Sequence, residues 1–343
     1  MKAVAQNDRK RMLRMNIYEI AEKCGVSPTT VSRVLNNSSR VSETTRQSVL
    51  KVIKETNYTP NALARNLSSG VTKKVGIVCK NIADMFYANT IALIENNLRA
   101  YGYDSLLYTS YGDCAQKLAG IRSLASQVDA LVFIGSIFDE NGVKKKDIEQ
   151  ISETAPIIVV NGYLPFENVY GVVSDETGMT ETIVKYMYEA GCRRIMYIYD
   201  SMTYSGHCKY EGYKNGLKEC GIEFDEKLCC MMPRDLEKAQ DGIENFMASG
   251  IPFDAVIASE DMFGIVALNI LKASGAKCPL VSFNNSILAV CADPKITSVD
   301  FMLDTICSTA IGMLSSLLEG KRIPEKVVIS PELIVRESFV PRK

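Results

Sequence analysis

Nine short runs of strand-forming residues follow one another between residues 75 and 300, and helix-length stretches separate most of them. VGIVC (75–79), DSLLYTS (104–110), ALVFIGS (130–136), PIIVVNGY (156–163) and YGVVSD (170–175) form one group. IMYIYD (195–200), DAVIAS (254–259), PLVSFN (279–284) and ITSVD (296–300) form another. A strand that is apolar on both faces must be covered on both faces, so this alternation predicts parallel sheets flanked by helices. The stretch after the first run supplies one such helix: Ile91, Ile94 and Leu98 repeat at i, i+3 and i+7, with Glu95 at the polar edge. Two groups of runs predict two doubly wound subdomains. A chain of 343 residues with 47% hydrophobic side chains can fill both cores and carry a smaller module besides. Ligands of such sheets sit beyond the carboxyl ends of the strands, which here means a cleft between the two subdomains.

Ahead of this body the chain changes character. Residues 1–70 carry 12 Lys and Arg against 5 Asp and Glu, a surplus of +7, while the rest carries 27 against 35, a deficit of −8. A basic head on an acidic body suits a polyanion, because each phosphate neutralised by Lys or Arg releases counterions. The head also has helix punctuation. Asn16 with Glu19 can form a capping box, Ile17, Ile20, Ala21 and Cys24 make an apolar stripe, and Gly25 suits a left-handed stop. Ser27 caps a second helix with Pro28 at its first position, Val31, Val34 and Leu35 facing inward, and Thr29, Thr30, Ser32, Arg33 and Asn36 facing outward. A third helix opens at Ser42 and is expected to bury Val49, Leu50, Val52 and Ile53. Helix, tight turn and helix with small, polar outward side chains predict a helix-turn-helix whose second helix enters the major groove. Pro60 can start one more short helix over Asn61–Leu67, which Ser68, Ser69 and Gly70 stop, and two turns are too few to be stable alone.

The stretch IYEIAEKCGVSPTTVSRVLNNSSRVSETTRQSVLKVIKETNYTPNALARNL, residues 17–67, resembles the head of the lactose-repressor (LacI/GalR) family of bacterial transcription regulators, in which VS..TVSRVLN and Y.PN..AR.L recur. The resemblance extends over nearly all of the chain after residue 15, and the body also resembles the periplasmic sugar-binding proteins. It implies an α/β fold with an N-terminal three-helix helix-turn-helix head and a periplasmic-binding-protein-like core of two doubly wound parallel-sheet subdomains. It implies DNA contacts from Ser27, Pro28, Thr29, Thr30, Ser32, Arg33 and Asn36, and a hinge helix containing Asn61, Ala64 and Leu67. In such a hinge the Leu wedges into a minor-groove step, and the small Ala lies where two paired hinges touch. For the cleft it implies Phe86, Tyr87, Asn161, Tyr163, Lys209, Asp261 and Asn284. Two positions depart from the family pattern. Lys209 stands before Gly212 and Tyr213 where an Arg is usual, and Asn284 follows Ser282 and Phe283 where an Asp is usual.

The expected plan is a basic, disordered extension (1–15), a helix-turn-helix domain (16–59), a hinge and linker (60–73) and an effector-binding, dimerising core (74–343). Within the core, subdomain one is placed at about 74–173 and 301–322, and subdomain two at about 174–300 and 323–343. The expected function is a cytoplasmic, nucleoid-associated, homodimeric regulator, most simply a repressor. It would bind near-palindromic operator DNA under control of a small molecule of the carbohydrate class. No membrane segment, cofactor, metal or catalytic group is expected. No stretch of 18 apolar residues and no secretory signal occurs. The single histidine, His207, read as a surface-loop residue, has no nucleophile elbow near it. The eleven cysteines show no CxxC pair and read as reduced thiols, with adjacent Cys229 and Cys230 leaving a redox pair open. The competing classes are a solute-binding receptor and an α/β sugar-modifying enzyme carrying an added DNA-binding module. VVISPELIVRESFVPRK at the end is too short for a long heptad tail, so a tetramer-forming coiled coil is not expected.

Overall fold

The computed structural model describes residues 16–35, 37–56, 58, 71–110, 112–138 and 145–341. Residues 1–15, Asn36 and Asn61, Ala64 and Leu67 of the expected hinge lie outside the described residues. The chain divides into two compact units, one ending at Thr72 and one starting at Lys73.

The first unit is built from α1 (Ile17–Cys24), α2 (Pro28–Leu35) and α3 (Glu43–Thr56). The capping box is formed. Asn16 Oδ1 accepts from the backbone N–H of Tyr18 at 2.9 Å and of Glu19 at 3.0 Å, and Glu19 Oε2 accepts from Asn16 N–H at 2.8 Å. Gly25 ends α1 at φ 61°, a conformation that costs glycine nothing. Ser27 Oγ then accepts from Thr30 N–H at 3.2 Å, so α2 starts on a satisfied amide with Pro28 at its first position. Ile20, Ala21, Val31, Val34, Val49 and Tyr58 form the core, each fully buried aliphatic side chain contributing roughly 1.5–3 kcal/mol. Leu50 departs from expectation and is 43% exposed. Val49, Val52 and Ile53 already occupy one face of α3 at i, i+3 and i+4, which turns Leu50 about 100° away.

The second unit holds two six-stranded sheets. The first has the order β11-β5-β4-β3-β1-β2 and is parallel throughout, from β1 (Lys74–Cys79), β2 (Asp104–Thr109), β3 (Ala130–Ile134), β4 (Ile157–Val160), β5 (Val169–Ser174) and β11 (Lys326–Ile329). The second has the order β12-β10-β9-β8-β6-β7, from β6 (Ile195–Tyr199), β7 (Cys229–Met231), β8 (Ala255–Ala258), β9 (Leu280–Phe283), β10 (Thr297–Asp300) and β12 (Glu332–Ile334), with only β12 antiparallel. Every residue of β3, β4, β8 and β9 is buried, as two-sided coverage demands.

The chain passes between the halves three times. It leaves the first sheet after β5 for α7 (Glu176–Glu189), returns after β10 into α12 (Leu303–Leu318), and leaves again between β11 and β12. The last crossing was expected at 322/323. It falls later because Lys326–Ile329 pairs in parallel with Gly171–Ser174 of β5 and completes the edge of the first sheet.

One close approach positions the cleft. A Cβ at Gly212 of α8 (Tyr204–Glu219) would collide with the carbonyl of Thr177, and one at Gly216 would lie 2.7 Å from Val184 Cβ. Only glycine at these two positions lets α8 lie this close against α7, which sets Lys209 beside the start of α7. His207 lies exposed on α8, so it is a helical residue and not the loop residue expected.

Candidate functional site

Two sites take shape, one in each unit. On the head, Thr29 and Arg33 are exposed on the outer face of α2, while Pro28, Thr30 and Ser32 are half-buried beside them and Ser27 is exposed at its start. The Ser27 and Thr30 hydroxyls lie 2.9 Å apart. Arg46 of α3 fixes the chain after α2, its guanidinium donating to Asn37 Oδ1 at 2.7 Å and to Ser38 O at 2.6 Å. Arg46 is thus occupied in structure, which leaves Arg33 as the outward cation of α2.

In the body the carboxyl ends of strands from both sheets converge on a cleft of about 300 Å³. Of the residues expected there, Phe86, Tyr87, Asn161, Lys209 and Asn284 line it. Phe86 and Tyr87 meet edge to face, ring centres 5.5 Å apart, and burial pushes the Tyr87 phenol up to about 12. Asn161 and Asn284 follow β4 and β9 with positive φ, 53° and 101°, turning the chain sharply at corresponding strand ends of the two sheets.

Tyr163 and Asp261 are not on the walls of this cleft, although Asp261 lines the groove beside it, which shares Asp84, Phe86, Arg234, Glu260 and Asn284 with the cleft. The Tyr163 ring packs over Gly171 and has Lys326 Nζ 5.3 Å from its centre. Asp261 is 1% exposed and fully engaged, accepting from Ser282 Oγ, from Ser298 Oγ at 2.7 Å and from the backbone N–H of Ser286 at 2.6 Å. It ties the start of α10 (Asp261–Ser274) to the ends of β9 and β10, and its neighbour Glu260 faces the cleft instead.

The cleft also holds residues that strand-end reasoning missed, among them Asp84, Ser136, Asp200, Arg234, Glu260 and Phe301. Asp84 caps α4 (Met85–Ala100), accepting from Phe86 N–H at 2.9 Å. An acidic residue two positions before an aromatic pair is a signal for that cap. Asp200 closes the run IMYIYD. Arg234 follows the three-residue β7 and carries no local signal.

Among the described residues, the contacts that join the halves include three polar ones. Arg234 Nε lies 3.2 Å from Asp84 Oδ2, Tyr204 N–H donates to Ser136 Oγ at 3.1 Å, and Asn161 Nδ2 donates to Glu176 Oε1 at 3.1 Å. Burial raises the Glu176 carboxyl above its ordinary range, against the pull of Lys209 and of hydrogen bonds from Ser205 and Asn161. Lys209 donates to Ser259 O at 3.0 Å and lies over the rings of Phe283 and Phe301. Burial alone would pull the Arg234 guanidinium down, but Glu260, Asp84 and Asp200 hold it above its ordinary value.

Cys229 and Cys230 show no reactive setting. Consecutive residues of a strand face opposite sides, and burial pushes Cys229 up to about 11 and Cys230 up to about 12, so neither is an available thiolate near neutral pH.

Residues 16–61 match the model of the bacterial regulatory proteins of the lacI family, and residues 184–339 match the periplasmic binding protein-like domain. An HTH-type transcriptional regulator of Lachnoclostridium phytofermentans is 39% identical over 332 residues, spanning 94% of this chain and 99% of that protein. The chain belongs to the LacI family. The regulator DegA of Bacillus subtilis is 28% identical to this family member over 96% of its chain and 99% of its own. Among solved structures, the regulator CelR in complex with cellobiose is 26% identical to it with a TM-score of 0.70, covering 95% of this chain and 100% of that one. The Lac repressor dimer bound to operator and the anti-inducer ONPF shares its fold, with a TM-score of 0.83 at 18% identity over 95% of this chain and 99% of that one. The LacI-family chain is therefore a helix-turn-helix transcription regulator with an effector-type α/β core. Among the described residues no helix is long and apolar enough to cross a membrane.

Proposed function

We propose that this LacI-family regulator is an operator-binding repressor that acts as a homodimer and is controlled by a sugar or sugar derivative held in the cleft. The observation that carries the reading is the make-up of the cleft walls. Aromatic faces from Phe86 and Phe301 stand beside amides and carboxylates from both halves, which matches a ring with apolar faces and a polar rim. The likeness to the CelR–cellobiose complex supports it.

On the DNA side the outward residues of α2, from Ser27 to Asn36, reach the major groove, with Arg33 as the base reader. Two copies are required, because a near-palindromic operator presents its half-sites about one helical turn apart. The segment 60–73 acts as the hinge, in which Leu67 enters the minor groove, Ala64 lets two hinges approach, and Asn61 adds a DNA contact. A ligand that touches both halves favours one arrangement of them over the other. Linkage then changes operator affinity by the same free energy with which operator changes ligand affinity.

The testing experiment is a thermal-shift screen of the full-length protein against sugars, sugar phosphates, nucleosides and purines, followed by operator binding with and without the hit. A ligand at 100 times its Kd raises stability by about 2.7 kcal/mol, well above scatter. A sugar hit that moves operator affinity supports the reading, and a nucleoside or purine hit replaces the ligand class.

A further inference from the structure

We propose that Arg234 sets the length of the ligand. Held between the two halves, its side chain walls the cleft off from the groove beside it, so that the cleft takes a single sugar ring and refuses a disaccharide. The inference rests on the reading of the cleft as a sugar site and adds the size of its ligand.

The cleft and the groove are neighbours with one wall in common. The cleft holds about 300 Å³ and the groove about 740 Å³, and Asp84, Phe86, Arg234, Glu260 and Asn284 line both. Among these five, Arg234 is the residue that ties the wall together. Its Nε lies 3.2 Å from Asp84 Oδ2 of the first half, and its Nη2 donates to Glu260 Oε2 of the second. A planar guanidinium held at two corners by two carboxylates keeps a fixed place. At the ends of β3 and β4 the halves are drawn together again, by Tyr204 N–H on Ser136 Oγ and by Asn161 on Glu176. A ligand in the cleft therefore lies between two sets of contacts that join the halves.

Sites for drug-sized molecules run from about 300 to 1,000 Å³, so the cleft alone stands at the bottom of that range and the cleft joined to the groove would reach its top. Arg234 Nη1 makes no hydrogen bond or ion pair among the described residues, and it can donate to a hydroxyl on the rim of one ring. A second ring linked through that hydroxyl would have to enter the space that the guanidinium fills. Behind the guanidinium the groove has what such a ring would use, the apolar side chains of Met85, Met262 and Leu288 beside the polar Asn285 and Ser286. The obstacle to a longer ligand is thus the Arg234 side chain itself and not a lack of room beyond it.

The experiment is isothermal titration of the full-length protein with glucose, galactose and mannose, and with cellobiose, lactose and mannobiose. At least one monosaccharide is expected to bind about tenfold more tightly than the disaccharide that contains it, a margin of about 1.4 kcal/mol. Arg234→Ala combined with Glu260→Gln removes the wall without leaving a buried acid unpaired, and is expected to bring the two within about twofold. Arg234→Met combined with Glu260→Gln removes the same charges but keeps the length of the side chain, and is expected to retain the native preference. A disaccharide that binds the native protein as tightly as its monosaccharide, or a preference that survives in R234A/E260Q, overturns the inference and leaves the sugar reading standing. A preference lost equally in R234M/E260Q overturns it too, because the ion pairs and not the bulk of Arg234 would then set the length. No binding of any of the six sugars to the native protein overturns the sugar reading for this cleft, and the inference falls with it.

Discussion

Arg234 of the second half reaches Asp84 of the first with Nε 3.2 Å from Oδ2, and Asp84 at the same time caps the helix that carries Phe86 and Tyr87. The guanidinium side chain is 35% exposed, so solvent screens it and the pair is worth about 0.5–1 kcal/mol. A double-mutant cycle of Asp84→Asn and Arg234→Gln in urea unfolding should give a coupling of that size, and zero coupling would show that the contact ties nothing. In X-ray scattering, R234Q should also give a larger radius of gyration without ligand than the native chain. An unchanged radius would mean that the other two bridging hydrogen bonds hold the halves without it.

Glu176 makes stability depend on pH in the direction opposite to an ion-paired acid. Its folded pKa is raised, so the folded state binds the proton more tightly than the unfolded chain. Its contribution is therefore complete below the ordinary carboxylate range and is lost as pH rises through the folded value. Glu176→Gln should therefore gain stability relative to the native chain between pH 4 and pH 8. Its amide oxygen can accept from Asn161 while Ser205 turns to accept. Urea midpoints across that range decide the matter, and a constant difference between the two proteins would remove the buried-acid account.

Arg33 stands exposed on α2 while Arg46 is bound to the turn behind it. Replacing Arg33 with Ala should cost roughly 1–3 kcal/mol of operator affinity and relax base choice at one position of each half-site. Selection from a randomised operator pool checks this. A uniform loss across sequences would assign Arg33 to phosphate.

Leu67→Ala should lower operator affinity and reduce the bend of the DNA, because a smaller side chain cannot hold a base step apart. Energy transfer between dyes at the operator ends reads the bend directly. An unchanged bend would remove the wedge role and leave residues 60–73 as a tether.

Much of this architecture is legible in the sequence, and the gaps have physical causes. All nine apolar runs became strands because each is long enough to show its apolar character without a partner. Cys229–Met231 is three residues at a sheet edge, and Lys326–Ile329 alternates exposed with half-buried residues, so neither announces its sheet. Phe86, Tyr87, Asn161, Lys209 and Asn284 could be named because the resemblance implies cleft positions for them; Asn161 and Asn284 follow strand ends, which a parallel sheet delivers to one place, whereas Lys209 lies within α8. At the start of α10, Glu260 lines the cleft and Asp261 the groove beside it, because adjacent side chains on a helix diverge by about 100°. Arg234 was invisible because it enters the cleft through a fold-level pairing with Asp84, 150 positions away in the sequence.

The three crossings between the halves of the core bear on how the protein is made. The first sheet lacks its edge strand β11 and its covering helix α12 until residue 329 has been synthesised, and the second lacks β12 for five residues more. Neither half can close its core on a ribosome still holding the last part of the chain, whereas the head is complete by Thr72. A nascent chain of this regulator thus exposes its DNA-binding module well before it owns a finished sensor.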